Sequence, residues 1–291
     1  MNPIGVHALV WVGGWSASEC RLAAESTRAA GYDLIEIPVL DPSSVDVADT
    51  ARTLEGFELG ASCSLGLGFD SDISSEDPEV VARGEAVLRD ALAVATDLGS
   101  PYLGGVIYSA LGKYAAPPSE RGRAHCVDVL RRLAEQAGTS DVTLGIEIVN
   151  RYESNLVNTT DQALSLIADI GAPNVKVHLD TYHMNIEEPG FREPVLRCGE
   201  QLGYVHIGES HRGYLGSGTI DFDSFFAALG DVGYTGTIVF ESFSSAVVAP
   251  ELSNTLAIWR NTWSDGEDLA RAARAYIMER VGTPEVAHGA R

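Results

Sequence analysis

The sequence predicts a single (β/α)8 barrel followed by an extra C-terminal helix. Strand-like and helix-like segments alternate along the chain, eight of each, and no Pro/Ser-rich linker or low-complexity stretch divides the 291 residues. Such alternation makes parallel strands with crossover helices, and eight units in about 250 residues form this barrel. The chain length alone fits one such barrel or two medium domains; the unbroken alternation selects the first. The catalytic domain is expected over 1–281, with a loose tail, "GTPEVAHGAR", over 282–291.

The elements read as follows. "IGVHALVW" (4–11) is the first β-rich run, and a helical pattern covers 18–30. "LIEIPVL" (34–40) precedes a helix at 44–55, and "ELGASCSL" (58–65) one at 78–98. Before that third helix, "SSEDP" (74–78) supplies polar caps and then a proline at the first helical position. "YLGGVIY" (102–108) leads to a helix at 119–138, and "TLGIEIVN" (143–150) to one at 160–170. "VKVHLD" (175–180), "YVHIGE" (204–209) and "TIVFES" (237–242) complete the strands, with helices at 192–201, 222–230 and 250–262. Gly31, Gly99, Gly138 and Gly171 each stand where a helix closes before the next strand. "DGEDLARAARAYIMERV" (265–281) is the extra helix, and Asn158 in "NTT" reads as chance or as part of a helix cap.

Composition bounds the partners. Hydrophobic residues make up 45%, enough for a full core. A formal charge of −21 repels nucleic-acid phosphates and anionic lipid, so neither is an expected partner. Four widely spaced cysteines without a CxxC pair read as free thiols of a reducing compartment. With neither a leader nor a membrane-length apolar run in the sequence, the expected location is the cytoplasm.

In a parallel barrel, chemistry sits at the C-terminal ends of the strands. Glu147 lies near the end of the fifth strand, Asp180 ends the sixth, His206 lies on the seventh and Glu241 on the eighth. Side chains alternate with period two, so inward-facing registers bring these four together near the axis. Three carboxylates that close repel unless a cation lies between them. Three oxygens and one imidazole suit Mn²⁺, Mg²⁺ or Co²⁺. Singly, a strand-end Glu is more often a solvated loop residue, and a lone strand His, such as His178, a hydrogen-bonded core residue. The shared depth of four neighbours argues against chance. "GESHRGYLGSG" (208–218) lacks a phosphate-loop order and reads as a flexible loop carrying Arg212 over the site.

"EIVNRYE", "HLDTYHMNIEE", "HIGESHRGYLGSGTIDF" and "FESFSS", with "GVIYSA" (105–110) and "WRNTW" (259–263), resemble the D-tagatose 3-epimerase/D-allulose (D-psicose) 3-epimerase family of xylose-isomerase-like barrels. The resemblance implies one divalent metal per subunit, commonly Mn²⁺, on Glu147, Asp180, His206 and Glu241. It adds a substrate shell of Glu153, His183 and Arg212. His7 stands where some members carry an aromatic residue, near the sugar's distal carbons. The implied reaction is C3 epimerisation of free ketohexoses through a cis-enediolate, with Glu147 and Glu241 exchanging protons on opposite faces. Homodimers or homotetramers are implied too. Three alternatives stay open: an aldose–ketose isomerase on the same scaffold, a sugar-binding protein without turnover, and a DNA-repair endonuclease, which the acidic charge disfavours.

Overall fold

The computed structural model describes residues 2–281; the expected tail, with His288, lies outside the described residues. Eight strands close in chain order, each parallel to its neighbours. They are β1 (Ile4–His7), β2 (Leu34–Pro38), β3 (Gly60–Leu67), β4 (Tyr102–Ala110), β5 (Thr143–Glu147), β6 (Val175–Asp180), β7 (Leu202–Ile207) and β8 (Thr237–Phe240). Helices α1 (Ala17–Ala29), α2 (Val47–Phe57), α3 (Pro78–Asp97), α4 (Glu120–Gly138) and α5 (Thr160–Ile170) follow the first five strands. Then come α6 (Thr181–Glu187), α7 (Arg192–Cys198), α8 (Phe222–Asp231), α9 (Pro250–Thr255) and the extra helix α10 (Gly266–Val281).

Local chemistry explains the boundaries. Ser16 and Glu19 form a capping box at α1, and Thr159 and Gln162 form one at α5. The "NTT" stretch is therefore a helix cap. Asp77 caps α3 with Pro78 in its first turn. Gly31, Gly99 and Gly171 adopt positive φ after their helices, but Gly138 does not; it ends α4 helically and Thr139 caps it.

Three elements depart from expectation. The helix expected over 250–262 stops at Thr255: Ala257 turns left-handed, and Ile258 N donates back to Ser253 O at 2.9 Å. Beyond it, Trp263 is buried and donates to Ser242 Oγ, while Trp259 is exposed. The helix expected over 192–201 ends at Cys198, because Gly199 takes a positive φ that breaks it and a 3-10 turn follows. The short α6 has no counterpart in the sequence reading; Asp180, at the end of β6, starts it by accepting from Tyr182 N at 2.6 Å.

Inside the barrel, Leu34, Tyr102, Tyr204 and Val239 form a floor, with the two tyrosine rings stacked 3.9 Å apart. Gly145 makes room for it. A Cβ there would stand 1.8 Å from the Tyr102 hydroxyl and 2.4 Å from its ring carbon. Because the ring is stacked and buried, it cannot swing away. Gly145→Ala is therefore expected to destabilise the fold by about 1–3 kcal/mol through overpacking, seen as a lower melting temperature. An unchanged melting temperature would show a mobile floor.

Candidate active site

The barrel's C-terminal mouth holds a cavity that opens to solvent. Glu147, Glu153, His183, His206, Arg212 and Glu241 line its polar side. Leu9, Val106, Leu111, Phe243, Leu252 and Leu256 line the apolar side, and His7 and Ser64 are also in its wall.

The register explains the convergence. Asp180 pairs with His206 across β6 and β7. Glu147 pairs with His178, two residues before Asp180, and Glu241 lies two past Val239, the partner of His206. Depth along the ladder is thus staggered, not equal as the sequence reading had it. Strand tilt, about 36° in such barrels, converts that stagger into a common height. One donor atom from each of Glu147, Asp180, His206 and Glu241 lies within 4.8 Å of the others.

The four are buried, and their chemistry fits a divalent ion. Asp180 Oδ2 and His206 Nδ1 are buried without a hydrogen-bond partner. His206 Nδ1 stands 3.3 Å from Glu147 Oε1 and 3.4 Å from Glu241 Oε1. Such orphaned atoms at one point, in a set of three carboxylates and one imidazole, match an oxygen-preferring cation.

The electrostatics show the strain of this grouping. Burial, with Glu241 and Asp180 adding to it, raises the Glu147 carboxyl to about 7 against the pull of His206. Burial likewise lifts Asp180 to about 6 despite Arg212. Glu241 goes the other way: burial would raise it, but Arg212 and His206 hold it below the usual range. For His206, burial alone would disfavour the imidazolium, yet Glu36, Glu241 and Glu147 push it well above the ordinary histidine value.

Arg212, Glu153 and His183 close over the cluster. The Arg212 guanidinium lies over the Tyr182 ring at 3.9 Å and the Phe243 ring at 4.9 Å. It pairs with Glu241 and stands 3.5 Å from Asp180 Oδ2. Its backbone is left-handed, braced by a hydrogen bond to Glu209 O at 2.8 Å. His183 Nδ1 accepts from Asn150 N at 3.1 Å, which leaves Nε2–H facing Asp180 and Glu153 at 3.6 and 3.9 Å. Asn150 Nδ2 donates to Glu153 Oε1 at 2.7 Å, and burial raises Glu153 to about 7. His7 Nδ1 accepts from Leu9 N, and its ring meets Phe243 edge-on.

Seven of the eight residues singled out in the sequence therefore line one cavity, and the eighth, Asp180, is fully buried within the four-donor cluster. His178 differs from expectation. It is fully buried beside His206, but neither ring nitrogen has a hydrogen-bond partner. Sequence reasoning missed Asn150, Tyr182, Phe243 and Glu36. Asn150 was readable as a polar residue at a strand end, and Glu36 as a carboxylate in an otherwise apolar strand.

Comparison with known proteins agrees with this fold. Residues 24–279 match the family model described as xylose isomerase-like TIM barrel. An L-ribulose 3-epimerase of Methylomonas sp. (strain DH-1) is 52% identical over 95% of this chain and 96% of its own. A ketose 3-epimerase of Arthrobacter globiformis is 50% identical over 96% of both. The crystal structure of a Methylomonas D-allulose 3-epimerase in complex with D-allulose, 51% identical, superposes with a TM-score of 0.95 over 96% of this chain and 97% of that one.

Proposed function

The chain belongs to the xylose isomerase-like TIM barrel family and, within it, to the ketose 3-epimerases, and on that premise we propose that it inverts C3 of free ketoses with a bound divalent ion. Residues 1–281 are its one catalytic domain. The substrates are of the D-fructose/D-allulose, D-tagatose/D-sorbose and L-ribulose types. Mn²⁺ is the ion of this reading, with Co²⁺ or Mg²⁺ as substitutes. The reading puts the enzyme in the cytoplasm as a homodimer or homotetramer. The four free cysteines are all buried, which accords with a reducing compartment, and no described helix is long and apolar enough to cross a membrane.

The observation that carries the reading is the pair of glutamates on either side of His206, over two unpartnered donor atoms, in one cavity. Glu147, Asp180, His206 and Glu241 hold the ion, which when bound acts as a Lewis acid that acidifies the proton on C3. Glu147 and Glu241 reach the centre from strands at opposite ends of the β5–β8 arc. One removes the C3 proton, and the other returns a proton to the opposite face of the planar cis-enediolate. Glu153 and His183, held by Asn150, orient the C1–C2 end. Arg212 donates to a substrate oxygen, and His7 contacts the distal carbons.

Incubation with L-ribulose, D-fructose and D-tagatose, followed by chromatography, tests this. C3 epimers are the expected products. Aldoses would move the assignment to an aldose–ketose isomerase. Arg212→Lys keeps the charge but loses the planar fork and the stacking between two rings. Losing one charge-assisted hydrogen bond costs about 1.5–3 kcal/mol, so kcat/KM should fall roughly ten- to hundredfold. A variant within twofold of wild type would remove Arg212 from substrate binding.

A further inference from the structure

Glu36 lies in the middle of β2, fully buried, and is absent from the cavity wall. A carboxylate in such a place is costly unless its oxygens are engaged. Oε2 accepts from His206 Nε2 and from the Tyr204 hydroxyl, both at 2.8 Å. The Tyr204 oxygen in turn accepts from Ser62 Oγ at 2.6 Å. Oε1 makes no hydrogen bond and stands 3.6 Å from His7 Nε2. That nitrogen carries the ring proton, because Nδ1 accepts from Leu9 N. One carboxylate thus sits beneath two histidines of the cavity wall.

We propose that Glu36 is the positioning residue of the metal centre: by accepting the Nε2 proton of His206, it fixes the ring so that the Nδ1 lone pair faces the ion, an inference that rests on the four-donor metal site above. The register supports it. Glu36 pairs with His7 on β1 and with Ser62 on β3, so three adjacent strands hold the carboxylate in place. Because Nε2 is engaged from below, Nδ1 is left to face Glu147 and Glu241. A histidine ligand whose second nitrogen is held by a carboxylate is both oriented and made a better donor, and loss of such a partner typically weakens metal binding about 10- to 100-fold. Glu36 is absent from the cavity wall, so its effect on the ion passes through His206, while any effect through His7 falls on the substrate side of the cavity.

The test is Mn²⁺ affinity, measured by chelator competition on wild type, Glu36→Gln and Glu36→Asp. Glutamine removes the charge at constant size; aspartate keeps it but withdraws the oxygens by one methylene. Both variants are expected to bind Mn²⁺ roughly 10- to 100-fold more weakly. Wild-type affinity in both variants overturns the inference. Wild-type affinity in Glu36→Asp alone shows that charge, not position, matters, and overturns it equally. If wild type itself fails to bind Mn²⁺, the metal site and the inference fall together, whereas tight wild-type binding with unaffected variants sinks only the inference. Should the variants not fold, ¹⁵N-histidine NMR of the Mg²⁺-loaded wild type decides. The Nε2–H tautomer of His206 is expected, and an Nδ1–H tautomer overturns the inference.

Discussion

Glu147→Gln and Glu241→Gln are each expected to abolish epimerisation. Glutamine preserves size but cannot take or return a proton. Loss of a positioned acid or base alone costs about 10²–10⁴-fold in rate. Both residues also belong to the four-donor cluster, so each substitution weakens the hold on the ion and deepens the loss. Activity should not return when Mn²⁺ is raised to saturation, and that separates proton transfer from metal retention. Inversion needs a group on each face, so neither single variant should keep a useful fraction of activity. A variant that epimerises at near-normal rate with saturating Mn²⁺ would remove that glutamate from the chemistry. Deuterium exchange at C3 without product, in one variant only, would show which glutamate serves which face.

Removal of the divalent ion is expected to abolish turnover, and the stability gained on restoring it is expected to be larger at pH 8 than at pH 5. Glu147 and Glu153 are raised by burial to about 7 and Asp180 to about 6, from ordinary values of 4.5 and 3.8. Between those limits these three carboxyls hold more protons in the folded chain than in the unfolded one. In the ion-free protein their contribution to stability therefore falls as pH rises through about 4 to 7, because they must then ionise near one another, while His7, His178 and His183, kept neutral by burial, act in the opposite sense. Glu241, held low, works in the opposite sense, but its contribution fades only below its ordinary value, outside this window. A cation takes the ionised forms, so its stabilising effect grows over the same interval. At a hundredfold excess over Kd the linkage is worth about 2.7 kcal/mol. Scanning calorimetry with and without Mn²⁺ checks this. A melting-temperature gain equal at both pH values would contradict the assigned electrostatics.

Much of this was legible in the sequence. The period-two pattern of "VKVHLD" and "TLGIE" turns Asp180 and Glu147 inward, and parallel topology puts strand ends at the cavity. What strand period does not contain is barrel shear, so the stagger between Glu147 and Asp180 was read as equal depth. Glu36 carried the same signal as Asp180 but sits mid-strand, where a polar residue reads as structural; its role depends on His206, 170 positions away. Helix α6 was hidden because Asp180 serves twice, as a donor of the cluster and as the helix cap. The segment after Thr255 has helical-looking composition, but the left-handed turn at Ala257 breaks it.

The most direct measurement follows D-fructose in D₂O by NMR at C1 and C3, with metal-stripped enzyme, before and after Mn²⁺ is added. Deuterium at C3 together with D-allulose signals, both dependent on Mn²⁺, is the predicted result. Deuterium at C1 or C2 with an aldose product would contradict C3 epimerisation.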